Sequence, residues 1–202
     1  FNRDSVSLVD TDGKGVERIT EKGVVANGVE YEVDCIIFAT GFEVGTGYTR
    51  RAGYNVIGRE GVGLEEKWSD GMRTLHGIHT HGFPNLFIIS NSQAGFTTNF
   101  PHAMDETAQH IGYILDQCKQ NGIRSVEATK DAEDEWVEHI ISVARFGADF
   151  QEACTPGYYN NEGQPNPKSV QNGAYGKGSR PYFRITKAWR EEGSMAGLSQ
   201  TK

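Results

Sequence analysis

The residues best suited to chemistry lie between Ser90 and Pro101. Ser90-Asn91-Ser92-Gln93-Ala94-Gly95 is a run of small and polar side chains, and Phe96-Thr97-Thr98-Asn99-Phe100-Pro101 carries it into a helix pattern. Asn99 or Phe100 reads as the N-cap, with Pro101 in the first turn, where a missing N–H is harmless. A helix start carries roughly half a positive charge and free N–H groups, so it suits an anionic or electron-rich ligand edge. Leu86-Phe87-Ile88-Ile89 precedes the loop and reads as a buried strand, which puts the loop where open α/β sheets hold ligands. A plain crossover turn is the alternative reading.

A second stretch has the same form. Asp34-Cys35-Ile36-Ile37-Phe38-Ala39-Thr40-Gly41-Phe42 reads as a short strand, apolar on both faces, that runs into a turn. Ala39, Thr40 and Gly41 are small enough for a backbone or a flat cofactor to approach closely. The other reading is a core strand with an ordinary turn.

Other candidates are weaker. His79 and His81 would share one strand face, with His76 close by, but no carboxylate or thiol nearby completes a ligand set. No metal site is expected. Cys154 has no activating histidine close in sequence. Asp131, Glu133, Asp134 and Glu135 read as a solvated helix start. Gly61-Val62-Gly63 is only part of a dinucleotide fingerprint, with neither strand nor helix beside it, and counts as a loop.

The elements that would position these residues follow in order. Val6–Val9, Val16–Thr20, Gly23–Val25 and Val29–Val33 form a β-meander, with turns at Asp10–Gly13 and Asn27-Gly28. Residues 43–70 are glycine-rich and irregular apart from a helical turn at 64–68. Gly82-Phe83-Pro84-Asn85 is a turn. The helix after Pro101 buries Met104, Ala108, Ile111, Leu115 and Cys118 and stops at Asn121-Gly122. Thr129 caps a second helix with Ala132, Trp136, Ile140 and Val143 as its buried stripe. Residues 147–181 form a long, tyrosine-bearing loop that covers something, a short helix spans 186–195, and the last residues fray.

Composition narrows the class. A net charge of −7 without any basic cluster argues against nucleic acid. No apolar run nears the roughly 20 residues of a membrane span, so no membrane partner is expected. Three widely spaced cysteines, Cys35 and Cys118 in apolar patterns among them, suggest buried thiols and a cytoplasmic protein rather than a disulfide framework. The chain opens on Phe1 without methionine, directly before a strand pattern, which reads as an excised or partial chain.

Taken in order, the motifs resemble type I Baeyer–Villiger monooxygenases. The resemblance rests on Phe1-Asn2-Arg3-Asp4, Leu8-Val9-Asp10, Gly28 to Asp34, Ile36 to Phe42, Gly82 to Phe87, Phe96 to Pro101 and Glu133 to Val137. It covers nearly the whole chain. The Ala-Thr-Gly turn alone is similar to many flavoproteins with two dinucleotide-binding domains. The resemblance implies an α/β fold. Residues 1–125 would be the C-terminal segment of a Rossmann-like FAD-binding domain with its β-meander, and 126–202 a C-terminal extension of helices and long loop. It implies FAD and NADPH as cofactors, a small-molecule ketone and O2 as substrates, and an ester or lactone as product. The glycine fingerprints and the catalytic arginine of the family would lie upstream of Phe1, so the chain would need the N-terminal part of its own parent.

Carried over by position, Ala39, Thr40, Gly41 and Phe42, together with Gln93, Thr98 and Asn99, would contact the cofactor. The helix start would stabilise the anionic edge of reduced flavin by roughly 0.3–2 kcal/mol. Phe96, Phe100 and Cys154 would face substrate. Cys154-Thr155-Pro156-Gly157-Tyr158-Tyr159 stands where many members have a tryptophan, and is similar to members that take large or steroid-like ketones. A flavin-containing monooxygenase acting on nitrogen or sulfur, and a non-catalytic flavin-binding remnant, are the alternatives.

Overall fold

The computed structural model describes residues 1–40, 49, 52–145 and 168–202. The chain divides into two units, Phe1–Phe42 and Glu43–Lys202. Gly41, Phe42 and Cys154 lie outside the described residues.

The first unit is the expected meander. Strands β1 (Arg18–Ile19), β2 (Gly23–Ala26) and β3 (Val29–Glu32) pair antiparallel in that order, with Val24 opposite Tyr31 and Ala26 opposite Val29. Asn27 and Gly28 both take positive φ, +53° and +74°, as a two-residue hairpin turn of the strand-matching hand requires. Residues 6–9 are not a strand. Asp10–Gly13 does turn, with the Asp12 N–H donating to Asp10 Oδ1 at 2.8 Å.

The segment from Cys35 to Phe38 departs from expectation. It forms no strand, and Cys35, Ile36, Ile37 and Phe38 are all exposed, Ile37 by 85% and Phe38 by 71%. An apolar strand is buried only when neighbouring strands pair with it and both faces are covered. Among the described residues this segment has no such neighbours.

The second unit contains η-type turn Arg59–Gly61, helix α1 (Leu64–Lys67), α2 (Phe100–Asn121), β4 (Ser125–Ala128), α3 (Lys130–Ser142), α4 (Ser179–Glu192) and β5 (Leu198–Thr201). Strand β4 pairs antiparallel with β5, Ser125 opposite Thr201. The C-terminal residues expected to fray are therefore part of a sheet. Helix α4 begins seven residues before the expected helix at 186–195 and buries Tyr182, Phe183, Thr186 and Trp189.

Helix boundaries follow their caps. Asn99 Oδ1 accepts from the His102 N–H at 3.3 Å, and Gly122 ends α2 with φ +65°. Thr129 Oγ1 accepts from the Ala132 N–H at 3.2 Å and starts α3. The buried seam of α2 is Ala103, His110 and Ile114, whereas Ala108 is exposed and Leu115 is 52% exposed. The apolar stripe expected from spacing is thus rotated, because α4 packs on the helix and Trp189 lies 4.9 Å from His110, ring to ring. The core cluster joins Leu75, Ala94, Ile114, Val126, Trp136, Ile140, Tyr182, Phe183 and Trp189.

Leu86–Ile89 is not a paired strand. Ile88 donates from its backbone to Ile78 at 2.8 Å and is buried, but Ile89 is exposed. The preceding turn is anchored instead through Asn85, which mimics a strand against β4. Its N–H donates to the Val126 carbonyl at 2.8 Å, and its Oδ1 accepts from the Val126 N–H at 3.0 Å.

Exposed Ile37 and Phe38 lead to a direct expectation. The 202-residue chain expressed alone should elute as soluble aggregates and bind an environment-sensitive apolar dye. The double variant I37S/F38S should bind much less dye. A monodisperse wild-type monomer without dye binding would contradict this.

Candidate functional site

The loop from Ser90 to Asn99 is held from several sides before it reaches α2. Gln93 is fully buried, with φ +56°. Its side chain points into the protein and is bonded at both ends of the amide. Oε1 accepts from Thr74 Oγ1 at 2.5 Å, and Nε2 donates to the carbonyls of Met72 at 2.6 Å and Gln171 at 3.0 Å. The Gln93 N–H donates to the Gly173 carbonyl at 2.7 Å, and the Trp136 indole N–H donates to the Gln93 carbonyl at 3.1 Å. Next along, the Tyr175 N–H donates to the Ala94 carbonyl at 2.9 Å. At Gly95 a Cβ would stand 2.6 Å from the Tyr182 ring, so only glycine lets the loop lie this close to α4.

Beyond this bed the chain comes to the surface. Phe96 and Phe100 are 45% and 48% exposed, and Thr98 and Asn99 are exposed between them. The first turn of α2 carries no acidic residue. Four of the sequence-selected residues, Phe96, Thr98, Asn99 and Phe100, therefore share one exposed helix start. Asn91 Oδ1, in the same loop, is buried without a hydrogen-bond partner. Ala39 and Thr40 are exposed at the end of the described part of the first unit.

The acidic run on α3 is only partly solvated. Glu133 is buried. Its Oε1 accepts from Thr80 Oγ1 at 2.7 Å and the His81 N–H at 2.8 Å, and its Oε2 pairs with Lys67 Nζ at 2.9 Å. Glu127 of β4 does the same nearby, accepting from Gly82 N–H and Arg59 Nε, each at 2.8 Å. The two carboxylates thus fix residues 80–82 against β4 and α3. Asp134 pairs with Lys130 and Arg73, which hold its carboxyl below the usual range.

The histidines divide differently from the expectation. His79 is buried and His81 exposed, so they share no strand face. His76, His79 and His110 are buried together in the aromatic core, His76 lying 4.8 Å from Trp136 and 5.9 Å from His110, ring to ring. No group of three potential ligands among the described residues could hold a metal ion. Burial pushes His76 down to about 4, and burial with mutual repulsion pushes His79 and His110 to about 3. Cys35 is exposed rather than buried, while Cys118 is partly buried and its thiol is pushed up by burial. An open groove of about 560 Å³ runs between α2 and α4 past Tyr113, and Lys187 and Glu191 in its wall pair with each other at 3.7 Å. It lies more than two turns along α2 from Phe100. No helix among the described residues is long and apolar enough to cross a membrane.

Comparison with known proteins places this geometry. No family model matches the chain. It is 52% identical over 200 residues to pentalenolactone D synthase of Streptomyces arenae, covering 98% of this chain and 34% of that protein. It is 43% identical to FAD-binding monooxygenase hmp7 of Hypomyces subiculosus, covering 100% and 33%, and 41% identical to Baeyer-Villiger monooxygenase ATR8 of Stachybotrys chlorohalonatus, covering 98% and 32%. The chain is homologous throughout to Baeyer–Villiger monooxygenases. In three dimensions it matches polycyclic ketone monooxygenase from Thermothelomyces thermophila with a TM-score of 0.84 at 32% identity, over 100% of this chain and 33% of that one. Steroid monooxygenase bound to NADP matches at 0.81 and 25% identity, over 100% and 36%. The fold is therefore that of a segment of a Baeyer–Villiger monooxygenase, and the chain spans about a third of the length of the relatives it matches.

Three neutral buried histidines make stability depend on pH in one direction. Their pKa values are lower folded than unfolded, so the unfolded state takes up more protons as pH falls below about 6.5. This contribution is full above that value and is lost between about 6.5 and 4 for His76 and between about 6.5 and 3 for His79 and His110, at up to about 1.4 kcal/mol per pH unit for each histidine. The melting temperature of the complete polypeptide should be flat from pH 7 to 8 and drop steeply below 6. His79→Phe should flatten the drop, and an unchanged profile would contradict the assignment.

Proposed function

We propose that this chain is the C-terminal third of an FAD- and NADPH-dependent monooxygenase that inserts one oxygen atom of O2 into a ketone, giving an ester or lactone. The observation that carries the reading is the match of 98–100% of the chain to proteins named as Baeyer–Villiger or FAD-binding monooxygenases at 41–43% identity. Within it, residues 1–125 belong to the FAD-binding domain and 126–202 to a C-terminal extension. A cytoplasmic location goes with free thiols at Cys35 and Cys118.

The residues present fit one edge of a flavin. A helix start without acidic residues and exposed polar groups on Thr98 and Asn99 suit the polar, electron-rich side of the ring, whereas the orphaned Asn91 Oδ1, an acceptor, would suit a donor N–H. Phe96 and Phe100 add an apolar wall that would exclude water and face substrate. Ala39, Thr40, Gly41 and Phe42 would form a second approach to the cofactor, and Cys154 a further substrate contact. Bound FAD, reduced by NADPH, would supply the electrons that activate O2. The role of this chain is to bind, orient and shield.

The substrate class proposed is a polycyclic ketone. It is supported by the names of the similar polycyclic ketone monooxygenase and steroid monooxygenase and by the Cys154 to Tyr159 run, while the name pentalenolactone D synthase goes with a lactone product. The test uses the complete polypeptide with FAD, NADPH and a polycyclic ketone under oxygen-18 gas. An ester or lactone carrying one heavy oxygen is expected. Oxidation of amines or sulfides with no ester from any ketone would overturn the reading.

A further inference from the structure

Gln93 does more than fill space. A leucine or methionine would pack the same volume, yet the position holds a carboxamide with every polar end in use. It also holds a left-handed backbone, φ +56°, which is unfavourable for so long a side chain. The Gln171 carbonyl needs a donor there, the Met72 carbonyl takes a second one, and the Thr74 hydroxyl needs an acceptor. Only a primary amide offers both from one planar group. Gln171 Nε2 reaches the Met72 carbonyl as well, at 2.7 Å, and Asn172 Oδ1 accepts from the Met72 N–H at 2.7 Å. Residues 72–74, 93–95 and 171–175 are thereby tied into one bed, with Trp136 of α3 closing it from below.

This bed lies immediately before the exposed residues Phe96 to Phe100. The direction in which the chain leaves Gly95, and so the place where those side chains stand, is set by backbone that Gln93 anchors. We propose that Gln93 is a positioning residue for the oxygen-insertion reaction. It would touch neither cofactor nor substrate, and would act by fixing the loop and first turn of α2 that do. The inference rests on the function proposed above. An error of about 1 Å at such a wall lowers the yield of the oriented reaction by about tenfold to a hundredfold while leaving the fold intact.

The experiment compares Gln93→Leu, Gln93→Asn and a control, Val126→Ala, in the complete FAD-loaded polypeptide. Val126 is buried in β4 and has no place in the proposed site. Three quantities are read beside the melting temperature: amide hydrogen exchange over residues 94–103, the dissociation constant for FAD, and ester formed per NADPH oxidised, with hydrogen peroxide as the competing product. Gln93→Leu should speed exchange over 94–103, weaken FAD binding and divert most NADPH to peroxide. Val126→Ala, at a comparable loss of melting temperature, should leave all three near wild type. If Gln93→Leu does not fold, Gln93→Asn must show the same pattern in milder form. Either glutamine variant giving wild-type exchange, FAD affinity and coupling overturns the inference. A wild type that binds FAD but forms no ester from any ketone instead overturns the functional reading on which the inference rests.

Discussion

One fully buried carboxamide, that of Gln93, ties three separate stretches of the second unit together. That unit has little regular sheet to hold its loops, since β4 and β5 are its only named strands among the described residues. Backbone groups that no ladder satisfies must find side-chain partners or remain unpaired at a cost of about 1–3 kcal/mol each. Gln93 meets that demand for the carbonyl of Gln171 and shares the Met72 carbonyl with Gln171 Nε2, and its own backbone pairs with Gly173 and Trp136. Glu133 and Glu127 do the same for residues 80–82. A buried carboxylate of this kind adds little net stability while paired but is costly to leave unpaired, so its role is to specify one arrangement.

Around these junctions the aromatic core supplies the apolar burial. Trp136 stacks on Tyr175 at 6.0 Å between ring centroids, and the Tyr182 hydroxyl donates to the His76 carbonyl at 2.6 Å. Helix α4 thus presses the 173–175 segment and the Gly95 turn against α3. The consequence for function is economy of motion: the residues that face outward, Phe96 to Phe100, follow directly from a part of the chain with few free torsions. A pre-set wall of this kind suits chemistry in which orientation and exclusion of water matter more than any acid or base from the protein.

Much of this was legible in the residues, for identifiable reasons. Asn27-Gly28, Asn99-x-x-His102, Asn121-Gly122 and Thr129 announced their turns and caps because each works through local geometry that one or two residues determine. The helix start after the Ser90 to Gly95 loop was legible as well. What could not be read were the partners. Spacing alone rotated the seam of α2, since the covering element, α4, lies more than fifty residues on. Glu133 looked solvated because Thr80, His81 and Lys67 are distant in sequence. No local pattern shows that the partners of the Gln93 side chain are Thr74, Met72 and Gln171. Cys35 to Phe38 illustrates the converse: its apolar run is that of a covered strand, but cover belongs to neighbours, not to the run itself.

The central claim is that this chain contributes one wall of a flavin site and that the wall is built in advance by the Gln93 junction. A crystal structure of the complete polypeptide with FAD bound tests it most directly. A flavin ring edge is expected within hydrogen-bonding distance of the Thr98 to Phe100 segment, with Gln93 still bonded to Met72, Gln171 and Thr74. A flavin placed away from this helix start, or a Gln93 side chain turned out to meet it, would contradict the account.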